Sequence, residues 1–246
     1  MKTKSPFLSI IVPVYNEEKR LTRGISQILR FIDEQTFRVE LIVVNDGSTD
    51  ATITLIKKLK HSSLRLISYE KNHGKGYAVQ KGMKNARGNL RLFLDIDLST
   101  PVDEFQKFLP HATTFDVVIG SRRTKDSEIL IRQPFLREQL GSAFTRLSSI
   151  LLGTDVSDFT CGFKCFSEKA AKQLFSLQSI HGWGFDSEII FLAQKKGFLI
   201  KEVPVTWSND PQTRVILIKD IFLSFRDLMK IRINDVLGKY NVSTPE

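Results

Sequence analysis

Over its first hundred residues the chain alternates short runs of aliphatic and β-branched residues with stretches in which apolar residues recur every three or four positions. Residues 8–14, Leu8-Ser9-Ile10-Ile11-Val12-Pro13-Val14, read as a strand. Leu21, Ile25, Ile28, Leu29 and Ile32 share one face of a helix over 17–33. The alternation continues with a strand over 39–44, a helix over 51–60 and a strand over 64–69. Asn72-His73-Gly74-Lys75-Gly76 then opens a helix to about Ala86, and a nearly continuous apolar strand follows over 90–94, as expected where both faces are covered.

Strands alternating with helices argue for βαβ units: an α/β fold with a mostly parallel central sheet flanked by helices. Ligands of such sheets bind beyond the carboxyl ends of the strands. The segments placed there are polar or acidic: Asn16-Glu17-Glu18, Asn45-Asp46-Gly47-Ser48 and Asp95-Ile96-Asp97. Past Pro101 the rhythm changes. Helices are predicted over 101–109, 170–175 and 185–196, strands over 115–119 and 198–207, and a basic, helix-prone stretch runs to Leu152.

With no repeat, low-complexity segment or Gly/Ser linker, the chain divides into one catalytic-size domain, residues 1–214, and a helical C-terminal extension, residues 215–246. In the extension Ile218, Ile221, Phe222, Phe225, Leu228 and Met229 form one stripe, with Lys219, Arg226 and Lys230 beside it. That pattern suits an amphipathic helix lying on an anionic membrane. A helix packed on its own core, or on a second subunit of a homo-oligomer, shows the same pattern.

Composition changes this picture in four ways. Of 246 residues 41% are hydrophobic and 26% charged, which excludes a disordered or fibrous chain. Cys161 and Cys165 are too few to staple a domain of this size and have no further ligands nearby, so free thiols are predicted. No apolar run reaches the ~18 residues of a membrane span, and the first, over 7–15, contains Pro13 and is too short for a signal peptide, so a cytoplasmic protein is expected. The fourth is charge: 36 Lys and Arg against 27 Asp and Glu, net +9, predict an anionic partner such as a phosphorylated substrate or a membrane face. Without a Lys/Arg block or an aromatic RNA-binding motif, nucleic acid is not expected.

Asp95-Ile96-Asp97 carries the strongest chemical signal. Two carboxylates two positions apart, after a buried strand, repel each other unless a cation lies between them, and a hard divalent ion with oxygen ligands, Mg²⁺ or Mn²⁺, meets that need. An isolated triplet of this kind is more often a capped turn; its place at a strand's carboxyl end favours the metal. Asn72 to Gly76 puts backbone N–H groups and Lys75 where an anion could sit. Arg122, Arg123, Arg132 and Arg137 are candidate phosphate clamps. Asp158 stands among phenylalanines, where burial would raise its pKa and make it a base. Asp186 and Glu188 are weaker candidates, with helix capping by Asp186 as the plain alternative.

Taken in order, Val12-Pro13-Val14-Tyr15-Asn16-Glu17, Val44-Asn45-Asp46-Gly47-Ser48-Thr49-Asp50, Asn72 to Gly76 and Asp95-Ile96-Asp97 resemble the family 2 glycosyltransferases, which have the nucleotide-sugar-binding GT-A fold. Gly120-Ser121-Arg122, residues 158–164, 183–188 and Glu202 to Trp207 resemble its polyprenyl-phosphate branch, of the dolichyl-phosphate β-glucosyltransferase type, with mannose-transferring enzymes as near relatives. The resemblance implies that Pro13, Tyr15, Glu17 and Asp46 line the nucleoside pocket, with Asp46 reading the base and Lys75 close by. It implies that Asp95 sits by ribose and metal, that Asp97 coordinates the metal, and that Arg122 and Arg137 bind the acceptor phosphate. Ser99 stands where some relatives have a further metal ligand. Many relatives also carry membrane-spanning helices beside the catalytic domain; the sequence read here has none, so peripheral docking through the C-terminal helix, or a non-lipid acceptor, is expected.

The reaction implied is inverting, metal-dependent transfer of glucose from UDP-glucose to a polyprenyl phosphate at the cytoplasmic membrane face. GDP-mannose as donor and a saccharide as acceptor are the alternatives within the class. A nucleotidyltransferase would carry a Gly-rich, Arg-containing loop after the first strand, where Tyr15-Asn16-Glu17-Glu18 stands instead.

Overall fold

The computed structural model describes residues 5–211 and 217–241, with residues 217–221 described by their backbone alone. The N-terminal elements follow the predicted order: β1 (Leu8–Val14), α1 (Leu21–Asp33), β2 (Val39–Asp46), α2 (Thr52–Lys58), β3 (Leu64–Tyr69), α3 (Lys75–Asn85) and β4 (Leu90–Leu94). Every residue of β1, β2 and β4 is buried, which explains their mostly apolar sequences; Ser9, Glu40 and Arg91 are buried polar exceptions.

The second half holds a short 3-10 turn (Val102–Glu104) continued by α4 (Phe105–Phe108), then β5 (Val117–Ser121), β6 (Glu128–Ile131), α5 (Phe135–Leu152), β7 (Phe163–Ser167), α6 (Glu168–Leu177), α7 (Phe185–Lys195), β8 (Ile200–Pro204), β9 (Thr206–Ser208) and α8 (Leu217–Val236). The single strand predicted over 198–207 is two strands in different sheets: β8 pairs with β5, and β9 pairs with β6 in a two-stranded ribbon. Pro204 ends the first and Val205 turns the chain into the second.

The main sheet has the order β3-β2-β1-β4-β7-β5-β8. All neighbours are parallel except β7, which runs antiparallel to both β4 and β5. The predicted mostly parallel α/β fold is therefore observed.

Two apolar clusters cover the two faces of the sheet. One contains Ile25, Ile28, Phe31 and Phe105 with β1 and β4; the other contains Val79, Met83, Leu174, Phe185 and Ile190. The second cluster also takes Leu228, Ile231 and Tyr240 from α8 and the residues after it. The predicted α8 stripe is split between two faces: Leu228 is buried, while Phe222, Phe225 and Met229 are exposed, together with Ile233 and Val236. The side chains of Ile218, Lys219 and Ile221 lie outside those described. No helix among the described residues is long and apolar enough to cross a membrane.

Candidate functional site

The sheet reverses its winding between β1 and β4, and there the strands part. Their pairing ends at Ile11↔Phe93, whereas β1 and β2 stay paired as far as Val14↔Asn45. Pro13 lies beyond the last β1–β4 pair, which lets a residue without an N–H sit in a central strand. A cleft of about 800 Å³ opens at this point, and Pro13, Tyr15, Glu17, Asp46, Lys75, Asp95, Asp97, Ser99, Arg122 and Arg137 all line it. Of the predicted site residues, Asp158 and the weaker candidate Glu188 do not line it.

The loop after β1 is fixed by Asn16, whose φ of 53° is left-handed. Its Oδ1 accepts from the Thr49 and Asp50 N–H groups at 2.7 and 3.3 Å, and its own N–H donates to Ser48 Oγ at 2.9 Å, tying the β1 and β2 loops together. Glu17 does not present its carboxylate openly to a ligand: Arg20 donates to both of its oxygens, at 2.7 and 2.8 Å. The third Arg20 nitrogen donates to Asp210 at 2.7 Å and lies 3.6 Å from Asp97. Burial alone would lower the Arg20 pKa, but its bonds to Glu17 and Asp210 hold it above the ordinary value. Sequence reasoning missed Arg20; its i, i+3 spacing from Glu17 was the available signal.

Asp46 is buried under the Asn72 to Gly76 loop. Its carboxylate accepts from His73 N–H at 2.8 Å, Gly74 N–H at 2.9 Å and Asn72 Nδ2 at 2.9 Å. The loop predicted to offer backbone N–H groups to a ligand thus gives two of them to an internal anion. Burial pushes the Asp46 carboxyl above its ordinary range, against those hydrogen bonds.

Lys75, the first residue of α3, reaches both Asp95 oxygens, at 2.8 and 3.0 Å. Its ammonium also lies over the rings of Phe93 and Trp183, 5.2 and 5.0 Å from their centroids. Burial would lower the Lys75 pKa; Asp95 and Asp186 outweigh that and hold it up.

Asp95 and Asp97 lie in a tight turn closed by Leu98 N–H donating to the Asp95 carbonyl at 3.1 Å, and Leu98 has φ 51°, a left-handed conformation rare for a bulky residue. Asp97 Oδ1 accepts from Ser99 N–H at 3.0 Å. Burial, and then the charge of Asp95, push the Asp97 carboxyl above its ordinary range. The two carboxylates thus disfavour each other's charge, even with Lys75 on Asp95 and Arg20 near Asp97. No group of three His, Cys, Asp or Glu side chains able to hold a metal occurs among the described residues. Two carboxylates fit an ion that completes its shell with phosphate oxygens and water, as Mg²⁺ does. On this ground the pair suits Mg²⁺ or Mn²⁺.

The same cleft is lined by arginines, and here the structure corrects a prediction. Asp158 is fully buried, and burial by itself would raise its pKa. The adjacent Arg122 charge and its hydrogen bonds outweigh burial and bring the carboxyl down to about 2. Arg122 donates Nε–H to Asp158 Oδ2 and Nη2–H to Oδ1, both at 2.7 Å, with its backbone N–H also on Oδ2 at 3.0 Å. Asp158 is therefore the ionised partner of Arg122 near neutral pH, not a base with a raised pKa. Local hydrophobicity suggested the opposite because the arginine is 36 positions away in sequence. Glu202 fixes this turn by accepting from the N–H groups of Ser157 and Asp158.

Arg123 also lines the cleft; its Nη1 donates to Ser142 Oγ at 2.9 Å. Burial, opposed by Asp158 and reinforced by Arg122, lowers its pKa, so an added anion would relieve it. Arg132 reaches Glu138 at 3.3 Å from an exposed position.

The weaker candidates have structural partners. Asp186 pairs with buried Lys164 at 2.5 Å and does not cap α7, whose N-cap is Gly184. Glu188 accepts from Ser179 N–H, Ile180 N–H and Tyr240 Oη, the last at 2.6 Å.

Known proteins resemble this chain along most of its length. The sequence pattern of Glycosyl transferase family 2 matches residues 9–175. A dolichyl-phosphate beta-glucosyltransferase of Trichomonas vaginalis is 34% identical over 249 residues, covering 96% of this chain and 74% of that protein. The Saccharomyces cerevisiae protein of the same name is 31% identical over 255 residues, covering 95% and 76%. Among solved structures, glucosyl-3-phosphoglycerate synthase from Mycobacterium tuberculosis in complex with uridine-diphosphate superposes with a TM-score of 0.67 at 20% identity, covering 97% of this chain and 82% of that one. Mannosyl-3-phosphoglycerate synthase from Rubrobacter xylanophilus gives 0.69 at 16% identity, covering 98% and 77%. These two have the same GT-A fold.

Proposed function

Because the chain belongs to glycosyl transferase family 2 and is a glycosyltransferase, we propose that it transfers glucose from UDP-glucose to a polyprenyl phosphate, with inversion at the anomeric carbon. The observation that carries this reading is that one cleft is lined both by the Asp95–Asp97 pair and by four arginines, Arg122, Arg123, Arg132 and Arg137. A donor diphosphate suits a cation held by the carboxylates, and an acceptor phosphate suits the arginines. The relatives' names, shared across nearly the whole chain, favour glucose and a dolichyl-type acceptor.

Pro13, Tyr15, Glu17 and Asp46 line the end of the cleft assigned to the nucleoside. Asp97, Asp95 and, less directly, Ser99 would hold Mg²⁺ or Mn²⁺, which when bound neutralises charge developing on the departing diphosphate. Arg20 keeps Asp97 and the Asp210 segment in register. An acceptor phosphate monoester is largely ionised at neutral pH, its second pKa being about 6. Its oxygen forms the new bond to the anomeric carbon as the bond to UDP breaks, so no side chain has to remove a proton. The ionised state of Asp158 agrees with that: it orients Arg122, while Arg123 and Arg137 place the phosphate for attack.

The acceptor's chain requires a membrane, and α8 supplies a matching surface. Phe222, Phe225, Met229, Ile233 and Val236 are exposed beside Arg226 and Arg232. Ser224 of the same helix lines the cleft, so its mouth opens next to that stripe. This favours peripheral docking at the cytoplasmic face.

The test is turnover with UDP-glucose or GDP-mannose, with and without Mg²⁺ and a short polyprenyl phosphate, for the wild type and Asp97→Asn. UDP release that needs both metal and lipid phosphate, and falls at least 100-fold in the variant, is expected. Preference for GDP-mannose would overturn the donor, and turnover without lipid phosphate the acceptor. Near-normal rates in Asp97→Asn would overturn the metal role.

A further inference from the structure

Lys75 is placed against the ordinary logic of helices. It opens α3, where the helix dipole disfavours a cation, and that first turn contains no acidic residue. Its ammonium is nevertheless held firmly, by both oxygens of Asp95 and between the faces of Phe93 and Trp183. The approach to Asp95 from the other side is closed. A Cβ at Gly162 would stand 2.0 Å from Asp95 Oδ2, so the glycine backbone lies flush against the carboxylate. Asp95 also donates its N–H to the Gly162 carbonyl at 3.2 Å, which pins that contact. A divalent cation seeking Asp95 therefore meets the ammonium of Lys75 at the same oxygens.

We propose that Lys75 is a built-in competitor for the divalent cation at Asp95, and that a nucleotide diphosphate relieves the competition by giving the ammonium another anionic partner. The inference rests on the metal reading of Asp95 and Asp97 given above. Two cations close together on one carboxylate repel strongly in a partly buried site. Metal alone binds against that repulsion. A diphosphate brings negative charge that both cations can share, so metal and nucleotide bind with positive coupling, and the coupling is reciprocal. The device restricts tight metal loading to the donor-bound enzyme.

The experiment measures Mn²⁺ binding, by the paramagnetic resonance signal of the free ion, with and without UDP, for the wild type, Lys75→Met and Lys75→Arg. For the wild type, UDP tightens Mn²⁺ binding at least tenfold. Lys75→Met binds Mn²⁺ about tenfold more tightly than the wild type without UDP, and the effect of UDP shrinks by a similar factor. Lys75→Arg, which keeps the charge, stays close to the wild type. Unchanged or weaker Mn²⁺ binding by a folded Lys75→Met, or equal tightening in Lys75→Arg, overturns the proposal. If wild-type protein with UDP binds no more Mn²⁺ than Asp97→Asn, the metal reading itself has failed, and the two failures are distinguishable.

Discussion

Arg122 meets Asp158 through two parallel hydrogen bonds, each 2.7 Å long, and the carboxylate end of the pair is completely buried. A buried ion pair is weak evidence of net stability, but breaking one by removing a single partner leaves an uncompensated charge and costs about 3–5 kcal/mol. Asp158→Asn is therefore expected to lower the melting temperature strongly and to weaken acceptor use, because Arg122 loses its anchor. The double variant Asp158→Asn, Arg122→Gln should be less destabilised than the sum of the two single changes. The sign with pH follows from the depressed carboxyl. Asp158 has an ordinary value of 3.8 and is held at about 2, so its contribution is fully present above about pH 4 to 5 and is lost as the pH falls toward 2. Thermal melts from pH 7 to pH 3 should show that loss in the wild type and a flatter profile in Asp158→Asn.

Gly162 controls Asp95 without being able to touch a ligand through a side chain. An added methyl would overlap Asp95 Oδ2 at 2.0 Å, so the carboxylate must turn away. Overpacking of this kind costs about 1–3 kcal/mol. Gly162→Ala should therefore fold with a modest loss of stability while Mn²⁺ affinity and kcat fall together by tenfold or more. A variant with lowered stability and normal metal binding would show that Asp95 has room to adjust.

Much of the first half of the fold was legible because its signals are local. Strands β1, β2 and β4 are buried on both faces and α1 has one apolar stripe, so periodicity marked each of them. Strand β7 was not legible as a sheet member: it comes late in the chain and inserts antiparallel between β4 and β5. The split of 198–207 into β8 and β9 depends on partners in two different sheets, which no local pattern encodes. The site divides in the same way. Asp46, Lys75, Asp95 and Asp97 could be picked out because they follow strands or open a helix. The link from Arg20 to Asp210 spans 190 positions, and the ionisation of Asp158 is set by a distant arginine, so neither had a local signature.

The arginines of the cleft separate positioning from binding. Two of the three Arg122 guanidinium nitrogens are engaged by Asp158, and Nη2 also donates to Thr160 at 2.7 Å. Arg123 donates to one hydroxyl and passes beside Gly141 of α5, where an added Cβ would make only ordinary contact with Nη2, at 3.5 Å. Arg123→Gln and Arg137→Ala are each expected to raise the acceptor KM by about tenfold, the 1.4 kcal/mol scale of one lost charge-assisted hydrogen bond. UDP and Mn²⁺ affinities should stay near wild type. An unchanged acceptor KM and kcat in either variant would remove that arginine from the acceptor site.

Helix α8 has two faces with different consequences, so deleting it would confuse them. Its inner face belongs to the core: Leu228 and Ile231 are buried, and Tyr240, which follows the helix, donates to Glu188, which in turn holds the backbone at Ser179 and Ile180. Leu228→Ala should cost about 2–5 kcal/mol, as for other large-to-small core changes. The outer face carries Phe222, 70% exposed, and Phe225, 43% exposed. Replacing both with serine should change stability by about 0.5 kcal/mol or less per site. If the face docks on a bilayer, each ring inserted contributes on the order of 1.5 kcal/mol or more. The double variant Phe222→Ser, Phe225→Ser should then bind anionic liposomes at least tenfold more weakly in a sedimentation assay while melting like the wild type. Leu228→Ala, compared well below its melting temperature, should retain liposome binding. Equal binding by the double serine variant and the wild type would mean that the exposed stripe meets something other than lipid.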